Sequence, residues 1–348
     1  IALFSSGQIQ EALNAVEVLI KDYPNEPVPF NISGACYDGL GQFNAAVKDY
    51  EKAIAIKPDY SKAHFNLGCT LQELGQFYAS VKSFEKALVI EPDYAEAHNN
   101  LGISLKDLRQ LDAAVKSFKK ATTIKPDYVE AHYSLGTLLQ ELGQLDEAVK
   151  SYEAVLVIKP DFAEMHNNLG VILNKLNQND AALKSLERAV TIKPDFAEAH
   201  NNLGNLLKEL DQHDTALKSY EKAITIKPDY AEAHNNLGNT LNDLGQLDAA
   251  VKSFEKAITI KPDFADAYNN LGLALKELDQ LDAAVKSYEK ALAIKPDHAD
   301  AHNNLGNALY DLSQHNAAVK SYEQALAIKP DYAEVYTNLG NTLHELGQ

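Results

Sequence analysis

The chain has 348 residues, a formal net charge of −17 at pH 7 and only two cysteines, Cys36 and Cys69. This acidity argues against nucleic-acid binding, which relies on clustered Lys and Arg. No apolar run approaches the roughly 18 residues of a membrane span and no signal peptide is recognisable, so the sequence gives no indication of membrane insertion or export. Two isolated cysteines favour buried free thiols over a disulfide framework. We therefore expect a reducing, cytoplasmic location.

A proline recurs every 34 residues from Pro24 to Pro330, which accounts for ten of the twelve prolines. We number each of these prolines as position 32 of a repeat. The chain then consists of a partial unit (1–26), nine full units (27–332) and a second partial unit (333–348). Because nothing interrupts the period, we expect a single elongated domain over residues 1–348. Both ends fall within a unit, so we also expect the chain to be a fragment of a longer protein.

Each unit predicts two helices. At about 100° per residue, positions 4, 7, 8, 11 and 14 share one side of a first helix, and they are mostly His or aromatic, Leu, Gly, Leu and Leu. Positions 17, 20, 21, 24, 27 and 28 form the apolar side of a second helix, with mostly alanine at positions 20 and 27 where two helices approach closely. The proline ends the pair because it cannot continue the hydrogen-bond ladder. Stacked pairs predict an all-α protein, an α-solenoid.

Acidic residues near the helix starts are predicted to cap them. Asp follows the proline in all nine full units, and an acid three residues later, such as Glu96 or Glu198, would complete a cap on the next first helix. The Asp of the LDAA segments, such as Asp112 or Asp248, is predicted to do the same for the second helix.

The 34-residue period with Gly at position 8, Ala at 20, an aromatic residue at 24 and Pro at 32 resembles the tetratricopeptide repeat family over the whole chain. The resemblance implies a right-handed superhelix of antiparallel helix pairs, with the first helices lining an inner groove that binds protein or peptide. Position 4 departs from the family pattern, since seven full units carry His there instead of a large aromatic residue. These histidines, which we expect to pack rather than bind metal, are His64, His98, His132, His166, His200, His234 and His302.

Asparagine dominates the side of the first helix opposite the packed side. A primary amide can bond the N–H and the C=O of an extended peptide together, whatever the side chains of that peptide. The predicted peptide-binding residues are the asparagines of position 6: Asn66, Asn100, Asn168, Asn202, Asn236, Asn270, Asn304 and Asn338. The array is similar to the tetratricopeptide arm of O-linked N-acetylglucosamine transferases, in which such an asparagine ladder holds substrate peptide.

Secondary groove residues are predicted at positions 9 and 13. They are Asn205, Asn239, Asn307 and Asn341 at position 9, and Asp107, Glu141, Asp243 and Glu277 at position 13. The acids would favour a neutral or basic peptide. The asparagines of position 5 either contact the peptide or have a structural role, in which they cap, bridge neighbouring repeats or keep the helix soluble. On the second helix, position 22 is Lys in all nine full units and position 26 usually is, and both project away from the apolar side.

Three functions remain open. The first is a non-catalytic scaffold that binds extended peptide without cofactor, metal, nucleic acid or membrane. The second is the substrate-recognition arm of a larger transferase, and the third is a self-associating array joined through its open ends. A chaperone-tail clamp is rejected, since Lys62, Asn66 and Asn100 match its pattern but Glu130 and Ser134 break it. No nucleophile, phosphate loop or carboxylate pair stands out, so we expect no catalysis by this chain.

Overall fold

The computed structural model of the chain describes residues 8–347. It divides into two compact units, Ile1–Asp161 and Phe162–Gln348. Residues 1–7 of the first predicted partial repeat and Gln348 of the second lie outside the described residues. That the repeats form one domain over the whole chain stays a prediction.

Unit 1 contains nine helices within residues 8–161. They are α1 (Ile9–Asp22), α2 (Pro27–Gly39), α3 (Phe43–Ile56), α4 (Ser61–Glu73), α5 (Phe77–Ile90), α6 (Ala95–Asp107), α7 (Leu111–Ile124), α8 (Val129–Glu141) and α9 (Leu145–Ile158). From α2 onwards, each 34-residue repeat forms one pair, a first helix and the second helix that packs against it.

Unit 2 continues the same pattern with eleven helices within residues 162–347. They are α10 (Ala163–Lys175), α11 (Asn179–Ile192), α12 (Ala197–Glu209), α13 (His213–Ile226), α14 (Ala231–Asp243), α15 (Leu247–Ile260), α16 (Ala265–Glu277), α17 (Leu281–Ile294), α18 (Ala299–Asp311), α19 (His315–Ile328) and α20 (Ala333–Glu345). Within each unit, a second helix also packs on the first helix that follows it, and successive first helices contact each other. The predicted all-α solenoid of helix pairs is confirmed.

The glycine at position 8 lets the aromatic ring at position 24 lie against the first helix. A Cβ on Gly204 would come within 2.6 Å of Cε1 of Tyr220, and a Cβ on Gly102 within 2.7 Å of Cε1 of Phe118. The rings are in turn fully buried, and the alanines of positions 20 and 27 that surround them are also buried. Ser80, the exception at position 20, donates its hydroxyl to the carbonyl of Gly68 at 2.8 Å. These contacts join each helix pair into one packed layer.

The predicted side-chain caps are wrong. The residue before each first helix is usually an aromatic one, such as Tyr94 before α6 or Phe196 before α12, and neither makes a side-chain cap. The exception among the described helices is His298, whose Nδ1 accepts from the backbone N–H of Ala301 in α18. Second helices follow a glutamine, and acids such as Asp112 and Asp248 lie inside the first turn instead. There the carboxylates face the positive end of the helix dipole, which stabilises the helix without a capping hydrogen bond.

Candidate functional site

The asparagines of position 6 lie half-buried on the face formed by the first helices, which we call the first-helix face. In most of the repeats that carry this asparagine, its Nδ2 donates to Oδ1 of the position 5 asparagine in the preceding repeat, 35 residues earlier. These bonds, called amide rungs below, join Asn66 to Asn31 at 3.0 Å, Asn202 to Asn167 at 2.9 Å, Asn236 to Asn201 at 3.1 Å, Asn270 to Asn235 at 3.1 Å, Asn304 to Asn269 at 3.0 Å and Asn338 to Asn303 at 3.2 Å. Each rung ties two neighbouring first helices together.

The position 5 asparagines are buried and act as bridges between repeats. Some also donate to the next residue of their own helix, as Asn99 does to Oδ1 of Asn100 at 3.1 Å and Asn269 to Oδ1 of Asn270 at 3.4 Å. The paired asparagines of the HNNLG segments are therefore a structural device, which compensates for their poor helix propensity. A position 6 amide that donates only to its rung partner keeps a second N–H, whereas Asn236 and Asn338 donate twice and keep only the acceptor capacity of Oδ1.

The residue at position 9 often reinforces the rung. Oδ1 of Asn205 accepts from Nδ2 of Asn236 at 3.0 Å and from the hydroxyl of Tyr220 at 2.9 Å. Oδ1 of Asn307 has the same two kinds of donor, from Asn338 at 3.1 Å and the hydroxyl of Tyr322 at 2.8 Å. In the repeat of Asn239, position 24 is a phenylalanine, Phe254, which has no hydroxyl to donate to the asparagine. Of the four predicted secondary residues at position 9, Asn205 and Asn307 are thus bonded directly to the position 6 series.

Cys69 takes the place of asparagine at position 9 of its repeat. Its Sγ accepts from Nδ2 of Asn100 at 3.3 Å, and burial raises the pKa of this thiol to about 11. Cys36 is buried, and burial raises the pKa of its thiol too. Both cysteines are free, as the sequence predicts.

Polar pockets open on the first-helix face of unit 2. One has a volume of about 400 Å³ and is lined by Asn205, Lys208, Glu209, Tyr220, Asn236 and Asn239. A second, of about 290 Å³, lies three repeats further along and includes Asn307, Asp311, Tyr322, Asn338 and Asn341. The same repeat positions 6, 9, 13 and 24 thus line both pockets, which brings together residues from both predicted sets.

The acids of position 13 form pairs across the repeats. Glu141 pairs with Lys106 at 2.6 Å, Asp243 with Lys208 at 2.9 Å and Asp311 with Lys276 at 3.0 Å. Glu277 instead accepts from Nδ2 of Asn242 at 3.4 Å, while Asp107 is exposed. Because the partner is usually a lysine at position 12 of the preceding repeat, this face carries alternating charge.

The acids of position 2 belong to a separate arrangement. Lys125 pairs with Glu96 at 3.1 Å and also lies 4.8 Å from the ring centroid of Tyr128. Equivalent ion pairs join Lys193 to Glu164 at 2.7 Å, Lys227 to Glu198 at 3.6 Å and Lys261 to Glu232 at 3.1 Å. The acid, the lysine of position 31 and the aromatic residue of position 34 therefore hold the loop between repeats, in place of the predicted cap.

The histidines of position 4 also contact the loop between repeats. Nε2–H of His98 donates to the carbonyl of Pro92 at 2.9 Å, and His200 and His234 bond Pro194 and Pro228 at 3.1 Å. Burial lowers the pKa of these three imidazoles below the ordinary value of 6.5. Within residues 8–347, no group of three or more His, Cys, Asp and Glu side chains has the arrangement of a metal site.

Sequence reasoning missed the pairing of positions 5 and 6, of positions 12 and 13, and of positions 2 and 31. The first two pairings join residues one period plus one residue apart. A search for complementary side chains at that offset would have found both, since it is the offset at which neighbouring first helices meet.

Comparison with known proteins identifies the repeat. The family described as TPR repeat matches at nine overlapping segments that together run from residue 37 to residue 347. None of the described helices is both long and apolar enough to cross a bilayer. No match was found among curated proteins.

Several solved structures match parts of the chain. A tetratricopeptide repeat protein from Parabacteroides merdae superposes with a TM-score of 0.58 at 18% identity, over 72% of this chain and 98% of that one. The crystal structure of MamA matches at 29% identity over 48% of this chain and 97% of MamA, with a TM-score of 0.45. YrrB, described as a TPR protein with an unusual peptide-binding site, matches at 21% identity over 57% of this chain and all of YrrB, with a TM-score of 0.46. From its 34-residue repeats and their packing, the chain belongs to the tetratricopeptide repeat family and is a protein-binding scaffold.

Proposed function

We propose that the first-helix face binds extended peptide through the asparagines of position 6. The observation that carries the proposal is the amide rung, because it fixes the orientation of each position 6 side chain while leaving hydrogen-bonding capacity unused. A preoriented amide loses little conformational entropy when it binds a peptide bond. The amides recur at one position of every such repeat, so a strand of peptide backbone could meet several of them in turn.

The pockets beside the rungs would then accept side chains of the bound peptide. The pocket around Asn236 offers amide groups, the phenol of Tyr220 and a lysine and a carboxylate from position 12 and position 13. The ion pairs at these positions neutralise some of the acids of position 13, whereas Glu209 and Glu277 accept only from the neutral amides of Asn174 and Asn242 in the bonds they form there. The face therefore keeps an excess of acid, and we expect neutral or basic peptides to bind.

A matched pair of triple variants tests the proposal. N202A/N236A/N270A and N167A/N201A/N235A remove the same three amide rungs, but only the first removes the position 6 amides. The probes are peptides selected from a random library for binding to the unmodified chain. We expect the first variant to bind them at least about tenfold more weakly, as expected from the loss of hydrogen bonds worth about 1 kcal/mol each. The second variant keeps the position 6 amides but loses their fixed orientation, so it should bind more weakly than the unmodified chain but better than the first variant.

Equal losses in both variants would show that the rungs act only through stability and would refute the proposal. A second measurement addresses the peptide itself. Replacing single peptide bonds of the selected probe by esters removes N–H donors without changing side chains, and it should weaken binding if the amides hold the main chain. That the chain has no catalytic activity of its own stays a prediction, as does the alternative that it is the substrate-recognition arm of a larger transferase.

A further inference from the structure

Positive charge is concentrated on the second helices, away from the first-helix face. Positions 22 and 26 supply half of the 32 Lys and Arg residues in a chain whose net charge is −17. These residues are exposed throughout both units. They are Lys48, Lys82, Lys116, Lys150, Lys184, Lys218, Lys252, Lys286 and Lys320 at position 22, and Lys52, Lys86, Lys120, Arg188, Lys222, Lys256 and Lys290 at position 26.

The lysines in these two rows are almost free of acidic partners. Among the described residues, Lys52 is the one lysine of the rows with a recorded ion pair, to Asp49 at 3.7 Å. By contrast, lysines of positions 12 and 31 are repeatedly paired. The same helices carry glutamate at position 25 in eight of the nine full repeats. The lysines of the rows form no ion pair with these glutamates among the described residues, so they can pair with a partner that is not part of the chain.

An apolar groove runs beside the lysines between successive second helices. In unit 1 its lining includes Ile54 and Leu67, with Lys82 and Lys86 from the next second helix and Glu51 from the preceding one. In unit 2 the equivalent lining includes Ile224 and Leu237, with Lys252 and Lys256 and the single carboxylate of Glu221, so two lysines outnumber one acid in each groove. The volumes are about 340 and 550 Å³. Both grooves use the same eight positions of the repeat, so the arrangement is a property of the repeat and not of one place in the chain.

We propose that these lysine grooves bind acidic polypeptide segments that carry large apolar side chains. An apolar side chain of the partner would enter the groove, while carboxylates beside it would pair with the lysines of positions 22 and 26. Those two lysines lie four residues apart on one helix face, a spacing at which side chains are neighbours. The two lysines could therefore pair at the same time with two carboxylates of the partner that flank one apolar residue.

The chemistry favours a short acidic segment over a large polyanion or a bilayer. Charges beyond a Debye length of about 10 Å are largely screened at 0.1 M salt, so a short docked segment is governed by the nearby lysines. A nucleic acid or an anionic bilayer extends further and also faces the excess negative charge of the chain. The floor lies in a recess between helices, which a side chain can enter and a flat lipid surface cannot.

The test uses a labelled peptide in which leucines are spaced among glutamates, and two charge-matched variants of the chain. K218Q/K222Q/K252Q/K256Q removes four lysines around the groove of unit 2, whereas K193Q/K227Q/K261Q/K295Q removes four lysines of position 31. We expect the first variant to bind at least about tenfold more weakly. The second should bind as the unmodified chain does, and circular dichroism should show both variants folded.

Two further measurements identify what occupies the groove. Replacing the leucines of the peptide by serine should abolish binding, and phosphatidylserine vesicles should bind weakly and without sensitivity to the first variant. Absence of peptide binding, equal losses in the two variants, equal binding of the serine peptide, or vesicle binding that depends on the groove lysines would each overturn the proposal. The variant N202A/N236A/N270A leaves this face intact, so its failure to bind neutral peptides would not affect this result.

Discussion

Ser134 stands 35 residues after Asn99 and leaves the buried Oδ1 of Asn99 without a hydrogen-bond partner among the described residues. In six other places the residue at this offset is an asparagine, and its Nδ2 supplies the missing bond. The serine side chain is too short to reach across to the preceding first helix. Position 134 is therefore a gap in the series of amide rungs in unit 1.

We predict that S134N stabilises the chain. The new amide would complete a rung to Asn99 and satisfy a buried acceptor, which is worth about 1 kcal/mol. Urea unfolding followed by circular dichroism should show a higher midpoint. S134A is the control, since alanine offers no donor and should leave the midpoint nearly unchanged. An S134N midpoint no higher than that of S134A would contradict the role assigned to the rungs.

Two buried tyrosines at position 24 should respond differently to loss of the hydroxyl. The hydroxyl of Tyr220 donates to Asn205 at 2.9 Å, whereas that of Tyr288 has no partner among the described residues because position 9 of its repeat is Leu273. We expect Y220F to lower the free energy of unfolding by about 1 kcal/mol and Y288F to leave it unchanged or raise it slightly.

The same denaturant measurement compares both tyrosine variants, and each serves as the control of the other because both rings are fully buried against a glycine. L273N adds a third comparison, since it would give Tyr288 the acceptor that Tyr220 has. In the L273N variant, Y288F should lower the free energy of unfolding. If both tyrosines lose the same stability on truncation in the original chain, the hydroxyl of Tyr220 contributes nothing beyond the packing of its ring.

The helices and their packed sides could be predicted from the sequence because they depend on local periodicity. Gly204 and Tyr220, for example, recur at fixed offsets whose apolar or small character survives in every repeat. The caps were predicted wrongly because an acid near the start of a helix can form either a cap or an ion pair with a lysine elsewhere in the chain. Glu96 fits a capping pattern in sequence, yet a lysine 29 residues later is close enough to pair with it once the loop is formed.

The geometry of the proposed peptide-binding face was harder to predict from the sequence. That position 6 faces away from the packed side followed from helix geometry, but the rung to position 5 depends on how far one repeat advances along its neighbour. The conformation of the turn after the first helix was also not predicted. Position 15 has positive φ, which glycine adopts without strain at Gly143 and Gly245, yet Arg109 and Asp279 adopt it too, at 60° and 59°. Local preference alone would not place a turn of this kind at an arginine.

Histidine at position 4 should make stability depend on pH. Burial, opposed by the bond to a proline carbonyl, lowers the pKa of His98, His200 and His234 below 6.5, and nearby Lys120, Lys222 and Lys256 act in the same direction as burial. The folded state therefore favours neutral imidazole. Above pH 6.5 both states are unprotonated and the histidines have no effect, whereas below it the unfolded state binds more protons. We predict that the thermal midpoint falls as the pH is lowered from 6.5 towards the folded pKa.

The triple variant H98Y/H200Y/H234Y separates this effect from the titration of carboxylates. Tyrosine already occupies position 4 at Tyr268 and Tyr336, and the hydroxyl of Tyr336 donates to the carbonyl of Pro330 at 3.2 Å, so the replacement can keep the bond to the loop. Thermal scans at a series of pH values from about 7.5 down to 5.5 should show a smaller fall in the variant. If the two curves are parallel, the histidines do not carry the pH dependence.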